Sequence, residues 1–116
     1  PGDFHMTVKQ RGENVIIRLD QKAPENFCRP AVDPMLRSLA EVYGKNILTV
    51  IMTGMGQDGM LGSKIVHEKG GKIIIQDQES SVVWGMPGAI AREDIHDAIY
   101  SKRGIADKII KLFGGD

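Results

Sequence analysis

Asp58 lies in the turn Thr53-Gly54-Met55-Gly56-Gln57-Asp58-Gly59, directly after the apolar run Ile47 to Met52. A strand that empties into a glycine-rich turn is where open α/β sheets hold ligands and do chemistry. Two kinds of chemistry compete for these residues. Gly54, Gly56 and Gly59 have the G-x-G-x-x-G spacing of a dinucleotide site, and Asp77 follows at about the 20-residue distance at which an acid binds ribose hydroxyls. Against that reading, Asp58 stands at the mouth of the following helix, so a carboxylate would meet the pyrophosphate that a helix N-terminus attracts. The same geometry suits a catalytic acid. A helix N-terminus stabilises a carboxylate, and in Ser-His-Asp hydrolysis such a group fixes the imidazole tautomer and stabilises the imidazolium. The plain alternative is that Asp58 only caps its own helix.

The other reactive side chains are dispersed. Ser63 and His67 are four apart on the predicted helix and form the only local serine-histidine couple. Leu61-Gly62-Ser63-Lys64-Ile65 is not a G-x-S-x-G elbow, however, and a solvated helix face is the expected role. Ser80 and Ser81 fall in a loop, where backbone hydrogen bonding is the simpler function. His5 and His96 fall in predicted strands and are expected to pack or sit at edges. The lone Cys28 forms no internal disulfide, and three scattered histidines give no local zinc pattern, so no metal and no cofactor are expected. Trp84 stands in the loop Ser81-Val82-Val83-Trp84-Gly85-Met86-Pro87 and either walls the Asp58 turn or fills core volume.

The elements that must position these groups follow from periodicity. Phe4 to Gln10 and Asn14 to Leu19 are β-prone runs around Arg11-Gly12-Glu13, a hairpin. Asp20 to Pro30 is punctuated by Pro24, Asn26 and Pro30 and reads as irregular connection. Asp33-Pro34 announces a helix, with the Asp33 carboxylate as cap, running to Tyr43 and ended by Gly44. Strand and helix then alternate: Asn46 to Met52, Gly59 to Lys69, Lys72 to Gln76, a short helical turn from Pro87, Ile95 to Tyr100, and Ile105 to Phe113. The unbroken run Ile73-Ile74-Ile75 fits a strand covered on both faces. The predicted class is α/β, a doubly wound and mostly parallel sheet with an N-terminal β-hairpin.

At 116 residues with 41% apolar content, a single core suffices and no second domain is needed. Fifteen basic residues balance fifteen acidic ones, so no net field draws the chain to nucleic acid. No apolar run approaches a membrane span and the N-terminus carries no signal pattern, so a cytoplasmic location is expected. Pro1-Gly2-Asp3 reads as a turn leaving an earlier element, which predicts a piece of a longer protein.

Pro1-Gly2-Asp3-Phe4-His5-Met6, Arg29-Pro30-Ala31-Val32-Asp33, Thr53 to Gly59, and Gln76-Asp77 followed by Ser81 to Pro87 occur in that order. Together they resemble the C-terminal part of the catalytic domain of the chemotaxis methylesterase family, CheB, over essentially residues 1–116. The T-G-M-G-x-D-G turn joined to the later V-V-x-G-M-P is far more specific than the glycine spacing alone. Ala31 stands where the family usually carries Ser.

The resemblance implies a protein-glutamate methylesterase and glutamine deamidase of bacterial or archaeal chemotaxis, acting on the cytoplasmic helices of methylated chemoreceptors. By motif position, Asp58 would be the triad acid and the backbone N–H of Met55 an oxyanion donor. The family's serine and histidine both precede the point corresponding to Pro1, so the chain alone is expected to be inactive. Its partners would be the upstream half of the catalytic domain and a receiver domain. A sheet cut at that point exposes an edge, through which self-association is expected. The competing classes are a non-catalytic regulatory or partner-binding module of the same fold and, third, a dinucleotide-binding domain.

Overall fold

In the computed structural model, which describes residues 1–114, an antiparallel hairpin precedes a three-stranded parallel sheet. Strands β1 (His5–Arg11) and β2 (Asn14–Asp20) pair from His5↔Asp20 to Arg11↔Asn14. The turn is therefore the two residues Gly12-Glu13, with Gly12 at φ +62°, and Arg11 belongs to the ladder. The hairpin packs on helix α1 (Val32–Tyr43), where the Val8 N–H donates to Ser38 Oγ at 3.0 Å.

Strands β3 (Leu48–Ile51), β4 (Lys72–Gln76) and β5 (Ala98–Tyr100) run parallel in that order. The expected α/β architecture with an N-terminal hairpin is thus present. β4 is central, and Ile73, Ile74, Ile75 and Gln76 are all buried, which accounts for its lack of alternation. Helices α2 (Met60–Glu68), α3 (Gly85–Glu93) and α4 (Lys102–Phe113) connect and cover the strands. Leu36 and Ala40 of α1, Ile51, Val66 of α2, Ile73, Ile75, Ile90 and Ile95 form one buried cluster.

Several boundaries differ from the sequence expectation, among them the start of α4, at Lys102 rather than Ile105. The predicted short turn from Pro87 is a nine-residue helix that begins two residues earlier, at Gly85. A Cβ on Gly85 would lie 2.8 Å from Gly54 O and 2.9 Å from Gly56 N, so the helix start needs a residue without one. The predicted strand Ile95 to Tyr100 is reduced to Ala98–Tyr100, so His96 lies in the preceding loop rather than in a strand.

Among the described residues β3 pairs on one side only, with β4. Beside it, Val32, Met35 and Leu39 of α1 and Met86 line an apolar groove of about 440 Å³ running along the strand. On α4, Ile110, Leu112 and Phe113 are exposed.

Candidate active site

Asp58 follows β3, and its carboxylate serves a different helix from the one it precedes. Oδ2 accepts the Val32 N–H at 2.7 Å and Oδ1 accepts the Asp33 N–H at 3.1 Å, so Asp58 caps α1. Asp33, already inside the first turn of α1, returns the arrangement. Its Oδ1 accepts the N–H groups of Gly59 at 3.0 Å and Gly62 at 2.7 Å, capping α2. Asp33 had been expected to cap the helix it introduces, and self-capping was the plain alternative for Asp58; both are corrected for one reason. The N-termini of α1 and α2 lie side by side, so the orphan N–H groups of each are met by the other's carboxylate. This closeness depends on Gly62, where an added Cβ would lie 2.6 Å from Leu36 Cβ.

Asn26 joins the two acids. Its Nδ2 donates to Asp33 Oδ2 at 2.8 Å and to Asp58 Oδ1 at 2.9 Å. Glu25-Asn26-Phe27-Cys28 is a tight turn closed by Glu25 N–H to Cys28 O at 3.0 Å and Cys28 N–H to Glu25 O at 2.8 Å. Asn26 and Phe27 both have positive φ, 54° and 62°, the pattern of a type I′ turn. The turn aims Asn26 inward and leaves Phe27 fully exposed. Glu25 anchors it to α1 by accepting from Arg37 Nη1 at 2.7 Å and Nη2 at 2.5 Å. The Arg37 hydrogen bonds hold the Glu25 carboxyl below its ordinary range.

A carboxylate offers about four lone-pair positions. On Asp58, Val32, Asp33 and Asn26 fill three of them, leaving one on Oδ2 among the described residues. Asp58 is half-buried, whereas Asp33 is fully buried. Three positions earlier, Met55 is 80% exposed and its backbone N–H has no partner among the described residues.

The Met55 turn is stitched to the loop that carries Trp84. The Gly54 N–H donates to Val83 O at 3.0 Å, the Met86 N–H to Gly54 O at 2.9 Å, and Thr53 Oγ1 both donates to Val83 O and accepts from Val83 N–H. The buried Gln76 side chain accepts the Thr53 N–H at 2.8 Å and donates to Ser80 O at 2.9 Å. Trp84 is half-buried against the core, its indole N–H donating to Gln76 O at 2.7 Å. Its backbone bridges Gly54 while its side chain fills core volume, the second of its two expected roles.

The remaining candidates do not converge on Asp58. Ser63 is buried, its Oγ unpaired among the described residues, and His67 is exposed, so they form no couple, and the solvated face expected for Ser63 is corrected. His5 is buried and structural: Nε2 donates to Ala23 O and Nδ1 accepts the Ala31 N–H, fixing the residue before α1. His96 Nδ1 is buried without a partner among the described residues. Ser80 donates from Oγ and backbone N–H to Asp77, which holds that carboxyl below its ordinary range, and Ser81 Oγ donates to Asp77 O. The α2 N-terminus needed by a pyrophosphate is filled by the buried Asp33 carboxylate, which removes the dinucleotide site. Among the described residues no group of three or more His, Cys, Asp or Glu side chains is gathered to hold a metal.

Comparison with known families matches residues 1–109 to the CheB methylesterase family. The chain belongs to this family. A protein-glutamate methylesterase/protein-glutamine glutaminase of Paramagnetospirillum magneticum is 56% identical over 97% of the chain, and one of Rhodopseudomonas palustris is 49% identical over all of it. The chain spans 29% and 30% of the length of these two relatives. Among solved structures, the CheB methylesterase catalytic domain of Thermotoga maritima superposes with a TM-score of 0.93 at 40% identity, covering 97% of the chain and 59% of that domain. Among the described residues no helix is long and apolar enough to cross a membrane.

The crossed caps escaped sequence reasoning. Asp33 and Asp58 were each visible as helix-entry acids, yet the exchange between them depends on how α1 meets α2. Asn26 lay in a segment read only as irregular, and its Asn type at a turn was the one available signal.

Proposed function

We propose that this chain is the C-terminal part of the catalytic domain of a protein-glutamate methylesterase that also deamidates glutamine, with Asp58 as the acid of a Ser-His-Asp triad. The observation that carries this reading is the pattern of Asp58 acceptors. Three donors fix the carboxylate and one Oδ2 position stays open, as an acid that must receive an imidazole N–H requires.

The serine and histidine come from upstream, in the part of the longer relatives that this chain does not span. The serine Oγ attacks the glutamyl methyl ester while the histidine takes its proton. Asp58 stabilises the imidazolium and the Met55 N–H donates to the developing oxyanion. Collapse expels methanol, protonated by the histidine, and water then releases the carboxylate by the same steps. The substrate is the cytoplasmic helical region of methylated chemoreceptors, and a receiver domain precedes the catalytic one.

The one-sided pairing of β3 and the apolar groove beside it support a sheet that continues into the upstream segment. Without that cover, the edge drives self-association of the isolated chain.

The test is methanol release from a methylated receptor fragment, by this chain and by a form extended upstream, each with and without Asp58→Asn. Activity confined to the extended form, falling about 10³- to 10⁴-fold on substitution, is expected. Full activity of the extended Asp58→Asn variant overturns the reading of Asp58. Activity of the short chain overturns the upstream location of the nucleophile.

A further inference from the structure

We propose that Asn26 is a positioning residue for the methylesterase reaction, fixing the Asp58 carboxylate through a shared bond to Asp33; this rests on the reading of Asp58 as the triad acid. One nitrogen, Nδ2, reaches both acids, at 2.8 Å and 2.9 Å. Carboxylates can only accept, so the amide has one workable orientation, with its two N–H groups divided between them.

The anchor behind Asn26 is rigid. Asp33 is fully buried, and its Oδ1 is held by the α2 backbone at Gly59 and Gly62. Asp58 is half-buried and, apart from Asn26, is held among the described residues by two α1 N–H groups, those of Val32 and Asp33. Those two donors are adjacent N–H groups of one helix end and leave the carboxylate room to rock about χ2. A further donor on Oδ1, from Asn26, narrows that motion and holds the open Oδ2 lone pair in one direction. The turn that delivers Asn26 places Phe27 at φ 62°, a conformation that bulky L residues rarely adopt, and the Glu25–Arg37 pair ties that turn to α1.

A residue that aims the acid affects the chemical step and leaves substrate binding alone. Asn26→Gly suits the positive φ and removes the amide. Asn26→Asp also tolerates that φ but turns an acceptor toward two acceptors. A role confined to shaping the turn therefore leaves Asn26→Gly close to the parent. A positioning role lowers kcat in both at unchanged KM, by about 10- to 100-fold for Asn26→Gly, the size of one lost charge-assisted hydrogen bond, and further for Asn26→Asp.

The experiment measures kcat and KM for methanol release in the full-length protein, with Asn26→Gly and Asn26→Asp made alone and with Asn26→Gly combined with Asp58→Asn. The expected result is a loss of kcat in each single variant, and less than about 2-fold further loss from Asn26→Gly once Asp58 is already Asn. Parent-like kcat in both single variants, a loss expressed in KM, or an equal loss with and without Asp58 overturns the proposal. Thermal unfolding of each variant identifies any loss caused by unfolding, and kinetics measured below the lowest unfolding midpoint carry the test if Asn26→Gly melts early. Parent-like activity of Asp58→Asn alone is the separate outcome that removes the triad reading beneath it.

Discussion

Removing the Asp33 carboxylate is the most demanding test of the crossed caps. Asp33→Ala leaves the N–H groups of Gly59 and Gly62 without their acceptor in a buried site and takes from Asn26 one of its two partners. A lost helix cap costs ~1 kcal/mol and each stranded buried donor ~1–3 kcal/mol, so partial relaxation leaves a loss of about 3–5 kcal/mol. That is a large part of the ~5–15 kcal/mol that holds a domain together. Asp33→Asn keeps a carbonyl oxygen for both glycine N–H groups but sets its amide N–H group against that of Asn26, so a loss of ~1–2 kcal/mol is expected. Urea unfolding gives the two values, and native-state hydrogen exchange at Gly59 and Gly62 reports whether the damage starts at the α2 N-terminus. Equal costs for Ala and Asn, or a cost below ~1 kcal/mol for Ala, would refute the assignment of these hydrogen bonds as the cap of α2.

Two further perturbations probe the surroundings. Gly85→Ala places a Cβ against the backbone of Gly54 and Gly56, which cannot step aside as a side chain would. It should cost ~1–3 kcal/mol by thermal unfolding and lower methanol release by displacing the Met55 turn. The Glu25–Arg37 pair predicts a pH effect. Its carboxyl lies below the ordinary value of 4.5 in the folded state, so its contribution is complete above that value and disappears as pH falls through the depressed one. Because Glu25 is about one-third exposed, that contribution is ~1 kcal/mol or less, measured as the part of the acid destabilisation below pH 4.5 that Glu25→Gln removes.

The strand and helix pattern was legible in the sequence because burial imposes a period. Ile73-Ile74-Ile75 announced a covered parallel strand, and Met35, Leu36, Leu39 and Ala40 announced one face of α1. Gly12 and Gly44 marked turns that need positive φ. Boundaries failed where tertiary contact overrode local signals. Pro87 was read as a helix start, yet the close approach of Gly85 to the Gly54 turn sets α3 two residues earlier. His96 looked like strand, yet pairing with β4 begins only at Ala98.

The sequence by itself determined the family, the order of the elements and the place of Asp58 after β3, since each is written in residue type and spacing along one chain. Only the tertiary structure decided which helix each acid serves. Hydrogen-bond donors are chosen by distance in space, and Val32 lies 26 positions from the carboxylate that caps it. The packing of α1 on α2, made possible by Gly62, brings Asp33, Asp58 and Asn26 within reach of one another and turns two ordinary helix caps into one fixed site.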